Sequence, residues 1–186
     1  QRDDRVSTNA LSEALGISAP SVTDMAQRLV EGGYIDYKKY YGVRVTDEGE
    51  RIAQKMIRRH RLIETYLVHE LGYEIQEVHD EAEALEHTVS DMFIEAIAEK
   101  LGNPDFDPHG DPIPTVDGKI AVRNLKSLIE LPLNQPANIS RILSTNTEIF
   151  QYTVDRGFEL NATVEVLERD PFEGPMTVRL DSSKVI

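Results

Sequence analysis

No cysteine occurs in the 186 residues, which excludes disulfides, thiolate metal sites and cysteine nucleophiles within this stretch. Long apolar runs are equally missing: none approaches the ~18 residues a membrane-crossing helix needs, and no charged-then-apolar leader opens the chain. A membrane partner is therefore not expected, and a cytoplasmic address is. Neither internal repeats nor low-complexity tracts are present, and no Gly-rich phosphate loop or nucleophile motif is found. The chain starts Gln1-Arg2-Asp3-Asp4 without an initiator methionine, so it is expected to begin inside a longer gene product.

The formal charge of −13 argues at first against nucleic acid. Its distribution points the other way. Residues 1–62 hold 11 Lys+Arg against 9 Asp+Glu, a net of +2, whereas residues 63–186 hold 9 against 24, a net of −15. A mildly basic first part followed by an acidic second part is compatible with DNA at one end. Some of the later carboxylates are also neutralised if they hold divalent cations.

The pattern predicts an α+β multi-domain chain. Leu11, Ala14 and Leu15 space a short helix over 7–15, ended by Gly16. Ser18 caps a second helix with Pro20 in its first turn, where the missing N–H is tolerated. Gly32-Gly33 stops it, and two β-rich runs, 34–39 and 43–46, read as a hairpin across Tyr40-Tyr41-Gly42. Helix, tight turn, helix, hairpin is the order of a winged helix-turn-helix, although the helix that normally stands in front of it is missing. A long helix over 47–70 follows, with Ile52, Met56, Ile63 and Leu67 on its apolar side; another begins near Glu77, and a further run ends at Leu101-Gly102. In that last run Val89, Met92, Phe93, Ala96 and Ile97 form an apolar face with few partners left in a small domain, read as a dimer interface. After a Gly/Pro/Asp-rich crossing over 102–114 the pattern turns to short strands at 127–133, 137–143, 163–167 and 176–180, with a short helix over 147–156, and predicts a small β-barrel. The expected domains are 1–50, the winged helix-turn-helix; 51–115, a helical metal-binding and dimerisation domain; and 116–186, the barrel.

The chemistry concentrates in residues 78–87. His79, Glu83, Glu86 and His87 fall at i, i+4, i+7 and i+8, which at ~100° per residue puts them within about 100° of one helix face. Val78, Ala82, Leu85 and Val89 fall on another stripe, free to serve a core. Upstream, His60 and Glu64 form a second i, i+4 pair. Packing the two helices antiparallel converges six ligands. Such pairs also occur on ordinary solvated helix faces, but four of the five histidines, His109 included, belong to this set; His69, near a helix C-terminus, is the exception. Imidazole with carboxylate and no sulfur suits Mn(II) or Fe(II) better than structural Zn(II).

Arg59-His60-Arg61-Leu62-Ile63-Glu64, the run from His79 to His87 and the following Thr88-Val89-Ser90-Asp91 resemble the diphtheria toxin repressor family of metal-dependent regulators, in its manganese-type branch. The resemblance is strong over 6–115, including His109-Gly110-Asp111-Pro112-Ile113-Pro114, and looser over the tail with Leu167-Glu168-Arg169-Asp170-Pro171-Phe172. It implies two or more metal sites per subunit. Glu83, Glu86 and His87 match one, completed in relatives by a residue from the first helix not found here; His60, Glu64 and His79 match its neighbour. Iron-sensing relatives place Cys where this chain has Glu83 and manganese-sensing relatives place Glu, which favours Mn(II) with Fe(II) as the alternative. Some relatives complete the second site with Cys-Pro-His; here the stretch is Asp107-Pro108-His109, and Asp107 is either a ligand or a loop-capping acid. An acid from the tail domain joins in relatives, and Glu148 is the candidate.

The implied function is a metal-dependent repressor that acts as a homodimer on a palindromic double-stranded DNA operator and controls metal-ion homeostasis genes. A helix entering the major groove by its N-terminal residues nominates Ser18, Pro20, Ser21, Thr23, Asp24 and Gln27 for the bases, with Arg28 toward phosphate. Lys38, Lys39 and Arg44 on the wing, with Arg2 and Arg5, are further phosphate candidates. No Arg or Asn stands in bidentate position, so DNA shape is expected to carry much of the specificity. Two rivals from other classes are a di-metal enzyme, which needs an open coordination position and a substrate cleft, and a metal buffer that never touches DNA.

Overall fold

A computed structural model describes residues 5–143, 147–172, 174–181 and 184–185. Within it the chain divides into two compact units, one reaching Met56 and the other beginning at Ile57. None of its helices is long and apolar enough to cross a membrane.

The first unit is built by its caps. Ser7 accepts from the Ala10 N–H and opens α1, Thr8–Leu15; Ser18 accepts from the Ser21 N–H and opens α2, Ala19–Glu31, with Pro20 in its first turn. Val22 and Ala26 are the buried positions of α2, one turn apart. The wing is the antiparallel pair β1, Ile35–Lys38, and β2, Gly42–Val45. Val6 pairs with Val43 beside it. Gly42 is required there: its φ is +99°, and a Cβ would lie 2.1 Å from the Val6 carbonyl oxygen. Arg5 donates to the Asp36 carbonyl at 3.1 Å and to that of Gly42, which fastens the chain to the hairpin. Arg2 lies outside the described residues.

Thr46 accepts from the Gly49 N–H at the start of α3, Asp47–Leu71, whose first turn carries Asp47, Glu48 and Glu50 against the positive end of the helix dipole. In the second unit α3 is followed by α4, Val78–Glu86, and α5, Asp91–Lys100, the latter capped by Ser90. Leu62, Ile63 and Leu67 of α3, Val78 and Ala82 of α4, and Ile94, Ile97 and Ala98 of α5 close one core, joined by Ile113. This corrects the expected dimer face. Ile97 is 4% exposed and belongs to the interior, Val89 is half-buried against the edge of the same core, and Met92 at 82%, Phe93 at 47% and Ala96 remain outside. The apolar run wraps more than half the helix, and only its inner side is covered by the core.

In the tail, β3, Pro136–Asn138, β4, Thr163–Arg169, β5, Met176–Leu180, and β6, Lys184–Val185, form one antiparallel sheet in that order, and α6, Thr147–Asp155, lies between β3 and β4 in sequence. The predicted barrel is not confirmed: among the described residues the sheet is open, with β3 and β6 at its edges. Two expected strands account for the difference. Residues 127–133 instead hold a 3₁₀ turn, Leu128–Glu130, because the Glu130 carboxylate reaches back to the Ser127 N–H at 2.9 Å and closes a capping box. Of residues 137–143 only Ala137 and Asn138 belong to β3; Ile139 still bonds the backbone of Asn161 and Ala162, after which the chain leaves the sheet. Val164, Val166, Val178 and Leu180 form the buried face beneath.

Candidate metal centre

His60 and Glu64 lie one turn apart on α3 and His79 in the first turn of α4, the spacing that sets them on facing helix surfaces. The Glu64 carboxylate is 4% exposed, and its Oε1 is 3.0 Å from His60 Nε2 and 3.3 Å from His79 Nδ1. The two imidazoles meet edge to face, with His60 Nε2 3.1 Å from His79 Nδ1. Glu64 Oε2 is 3.8 Å from His109 Nδ1, and Asp107 is buried beside it. Two donor groups result, His60/Glu64/His79 and Glu64/Asp107/His109, each with its ligand atoms within 4.8 Å of one another. Both open on a cleft of about 360 Å³ whose far wall includes Phe150.

Burial pulls the pKa of His60 down, but hydrogen bonds and charge from Glu64, and then from Glu86, outweigh it and hold the imidazole above its usual value. Burial raises Glu64, yet His60, His109 and His79 together bring it below the usual carboxylate value. Asp107 is raised, chiefly by burial and against the Asp111 backbone N–H and the His109 charge, with the neighbouring carboxylates Asp111 and Glu64 adding to the rise. Its Oδ1 accepts from the backbone N–H groups of His109 at 2.9 Å and Asp111 at 2.8 Å. Asp107 thus caps its turn with one oxygen while the residue still stands within the donor group.

The remaining predicted ligands are placed differently. Glu86 puts Oε2 2.9 Å from His60 Nδ1 and Oε1 3.3 Å from His87 Nε2, linking the last turn of α4 to the cleft. His87 is the C-terminal cap of α4, and its side chain is 66% exposed. Glu83 and Glu148 are exposed and belong to neither converged group. Residues that sequence reasoning passed over hold the site together. Arg59 donates to the carbonyls of Glu86, at 3.0 Å, and Val89 and pairs with Asp91. Arg61 donates to the Pro112 carbonyl at 2.5 Å and faces Asp107 at 3.5 Å and Asp111 at 3.6 Å. Their signal was the cluster Arg58-Arg59-His60-Arg61 on a helix otherwise destined for burial. An arginine there needs a partner.

On α2, Ser18, Pro20, Ser21, Asp24, Gln27 and Arg28 are exposed, whereas Thr23 is half-buried and donates its hydroxyl to the Ala19 carbonyl at 3.0 Å. On the wing, Lys38 sits 4.2 Å over the Tyr41 ring and Lys39 5.1 Å over Tyr40, and Arg44 pairs with Asp36 at 2.9 Å.

Nitrogen and oxygen donors without sulfur, two imidazoles around a shared carboxylate, fit a divalent first-row cation. Comparison with known proteins agrees. Residues 2–43 match the family model described as iron dependent repressor, N-terminal DNA binding domain; residues 46–115 match its metal binding and dimerisation domain; residues 126–186 match the FeoA domain. The diphtheria toxin repressor of Corynebacterium glutamicum is 28% identical over 94% of this chain and 80% of its own length. MntR of Lysinibacillus sphaericus, an HTH-type transcriptional regulator, is 34% identical over 52% of this chain and 71% of its own. A solved manganese-dependent transcriptional repressor in complex with manganese superposes with a TM-score of 0.87 at 40% identity, covering 99% of this chain and 86% of that one. The chain belongs to the diphtheria toxin repressor family of metal-dependent transcriptional regulators, a family of repressors and not of enzymes.

Proposed function

We propose that this chain is a DNA-binding transcriptional repressor of metal-ion homeostasis genes, switched by Mn(II), with two or more metal sites per subunit. The observation that carries the reading is the convergence of His60, Glu64 and His79, and of Glu64, Asp107 and His109, into one cleft of nitrogen and oxygen donors. Similar solved structures described as a manganese-dependent transcriptional repressor in complex with manganese and as a manganese regulator support the metal. Fe(II) is the second reading, favoured by the description of the matching family model. Glu83, Glu86 and His87 are the further ligand set, Asp107 and His109 complete the His60/Glu64/His79 set, and Glu148 is the tail acid.

A bound divalent cation supplies the positive charge that offsets the clustered carboxylates. The residues of the chain do the rest. His60 faces Glu64 through Nε2 and Glu86 through Nδ1, and a cation held at Nε2 would displace the proton there while the Nδ1 proton stays directed at Glu86. Glu64 ties α3 to α4 and to the 107–111 turn. The exposed N-terminal residues of α2, Ser18, Pro20, Ser21, Asp24 and Gln27, with Thr23 buttressing the first turn, face the major groove, while Arg28, Lys38, Lys39 and Arg44 meet phosphates. In this reading 1–50 is the reading head, 51–115 the metal-binding and dimerisation part and 116–186 the tail domain of a cytoplasmic homodimer that joins through the exposed Met92, Phe93 and Ala96, with Val89 at the margin. A cation that fits one arrangement of the dimer better shifts the population toward it. A mobility-shift assay on a palindromic duplex, selected from a randomised pool, tests this with Mn(II) and with a chelator. Tight binding only with Mn(II) is expected; equal affinity in both rejects the switch.

A further inference from the structure

The turn that carries Asp107 and His109 is gripped from two sides. On the helical side Arg61 donates to the Pro112 carbonyl and faces Asp107 and Asp111. On the tail side four independent contacts meet it. The Ile142 N–H donates to the His109 carbonyl at 3.1 Å. Gly110, with φ +85°, lies so close to the chain leaving β3 that a Cβ would stand 2.2 Å from the Ser140 carbonyl oxygen. Arg141 forms an ion pair with Asp111. The His109 ring packs edge to face on Phe150 of α6, with centroids 5.3 Å apart. A second cation closes the seam, since Arg123 donates to the Ser140 carbonyl at 3.1 Å and lies over the Phe106 ring.

From these contacts we infer that Arg141 is a positioning residue for the metal ligand His109, and that cation binding in the cleft and docking of the 139–143 segment onto the 107–111 turn are one linked equilibrium. The Asp111 carboxylate stands between Arg61 and Arg141, so the turn is registered against α3 and the tail at the same point. The His109 backbone is held inside the turn by Asp107, which accepts from its N–H, and from the tail by the Ile142 N–H on its carbonyl and by Arg141 on Asp111, so loss of the tail contacts loosens the ligand. Anything that orders the ligand therefore orders the tail segment, and by reciprocity the docked tail raises cation affinity. Partners that orient a metal ligand from outside its coordination shell commonly change affinity by about 10–100-fold when removed.

The inference rests on the metal-binding reading, and hydrogen exchange by mass spectrometry separates the two. In the full chain Mn(II) is expected to slow exchange at residues around His60 and His79, in the 107–113 turn and in 137–143 together. Arg141→Ala is expected to weaken Mn(II) binding by about tenfold in calorimetry and to abolish the protection of 137–143, while Arg141→Lys restores most of both. Protection of the turn without 137–143 in the wild type overturns the linkage, even if the alanine variant folds poorly. Unchanged Mn(II) affinity in a folded Arg141→Ala overturns the role of the residue. No protection around His60 and His79 at any Mn(II) concentration overturns the metal reading itself, and the inference with it.

Discussion

At the scale of the residue, Glu64 is the side chain on which most depends: it is the one carboxylate common to both donor groups and is almost fully enclosed. Glu64→Gln keeps the volume and removes the charge. Calorimetric titration should show Mn(II) affinity lowered by at least about 100-fold, more than outer residues usually cost. The pH response follows from the same cluster. His60 is held above its ordinary 6.5, so its contribution to the metal-free fold is complete below 6.5 and is lost as pH rises through its folded value. Glu64 is held below its ordinary 4.5, so its contribution is complete above 4.5 and is lost as pH falls through its folded value. The metal-free pocket is therefore best satisfied between those two values, whereas metal binding, which must displace the His60 proton, improves as pH rises. Thermal melts at pH 6 and pH 8 should show the stabilisation by Mn(II) growing with pH; a constant increment contradicts the assignment of the proton to His60.

Among elements, the first three helices were legible in the chain because of their punctuation, Ser7 and Ser18 at starts and Gly16 and Gly72 at stops, whereas α4 opens without a capping side chain and the Ser90 cap of α5 was passed over. The His/Glu spacing likewise located the cleft, since i, i+4 pairs on consecutive helices need only antiparallel packing to meet. What it could not show was rotation about the helix axes. That rotation puts His79 in the group with His60 and Glu64 while leaving Glu83 in solvent, and it is set by Val78 and Ala82 seeking the core. In the tail, alternation suggested strands where Ser127 and Glu130 instead form a local box, a competition that side-chain-to-backbone bonding wins. Arg59 is the joint between α4 and α5, and its side chain is only 10% exposed. Arg59→Ala leaves the Glu86 and Val89 carbonyls and Asp91 without this donor. Chemical denaturation should register a loss of roughly 1.5–3 kcal/mol, the range for hydrogen bonds to a charged group.

For the whole molecule, the division of α5 into a buried inner face and an exposed outer one lets folding and the proposed assembly be tested separately. Ile97→Ala removes volume from a closed core and should cost roughly 2–5 kcal/mol by denaturation without adding a new surface defect. Met92→Glu lies in the open and should leave the monomer's stability nearly unchanged, while sedimentation shows the dimer lost. If Met92→Glu sediments as the wild type does, the second copy docks elsewhere. The charge asymmetry has its own consequence: with the acid gathered after residue 62, DNA affinity should fall steeply with salt through the few cations of the first unit.

A pocket that hangs two sets of donors from one carboxylate has no independent halves. Whatever is drawn toward His60 and His79 leans on the same carboxylate that His109 faces, so these two donor groups are expected to respond together in a titration.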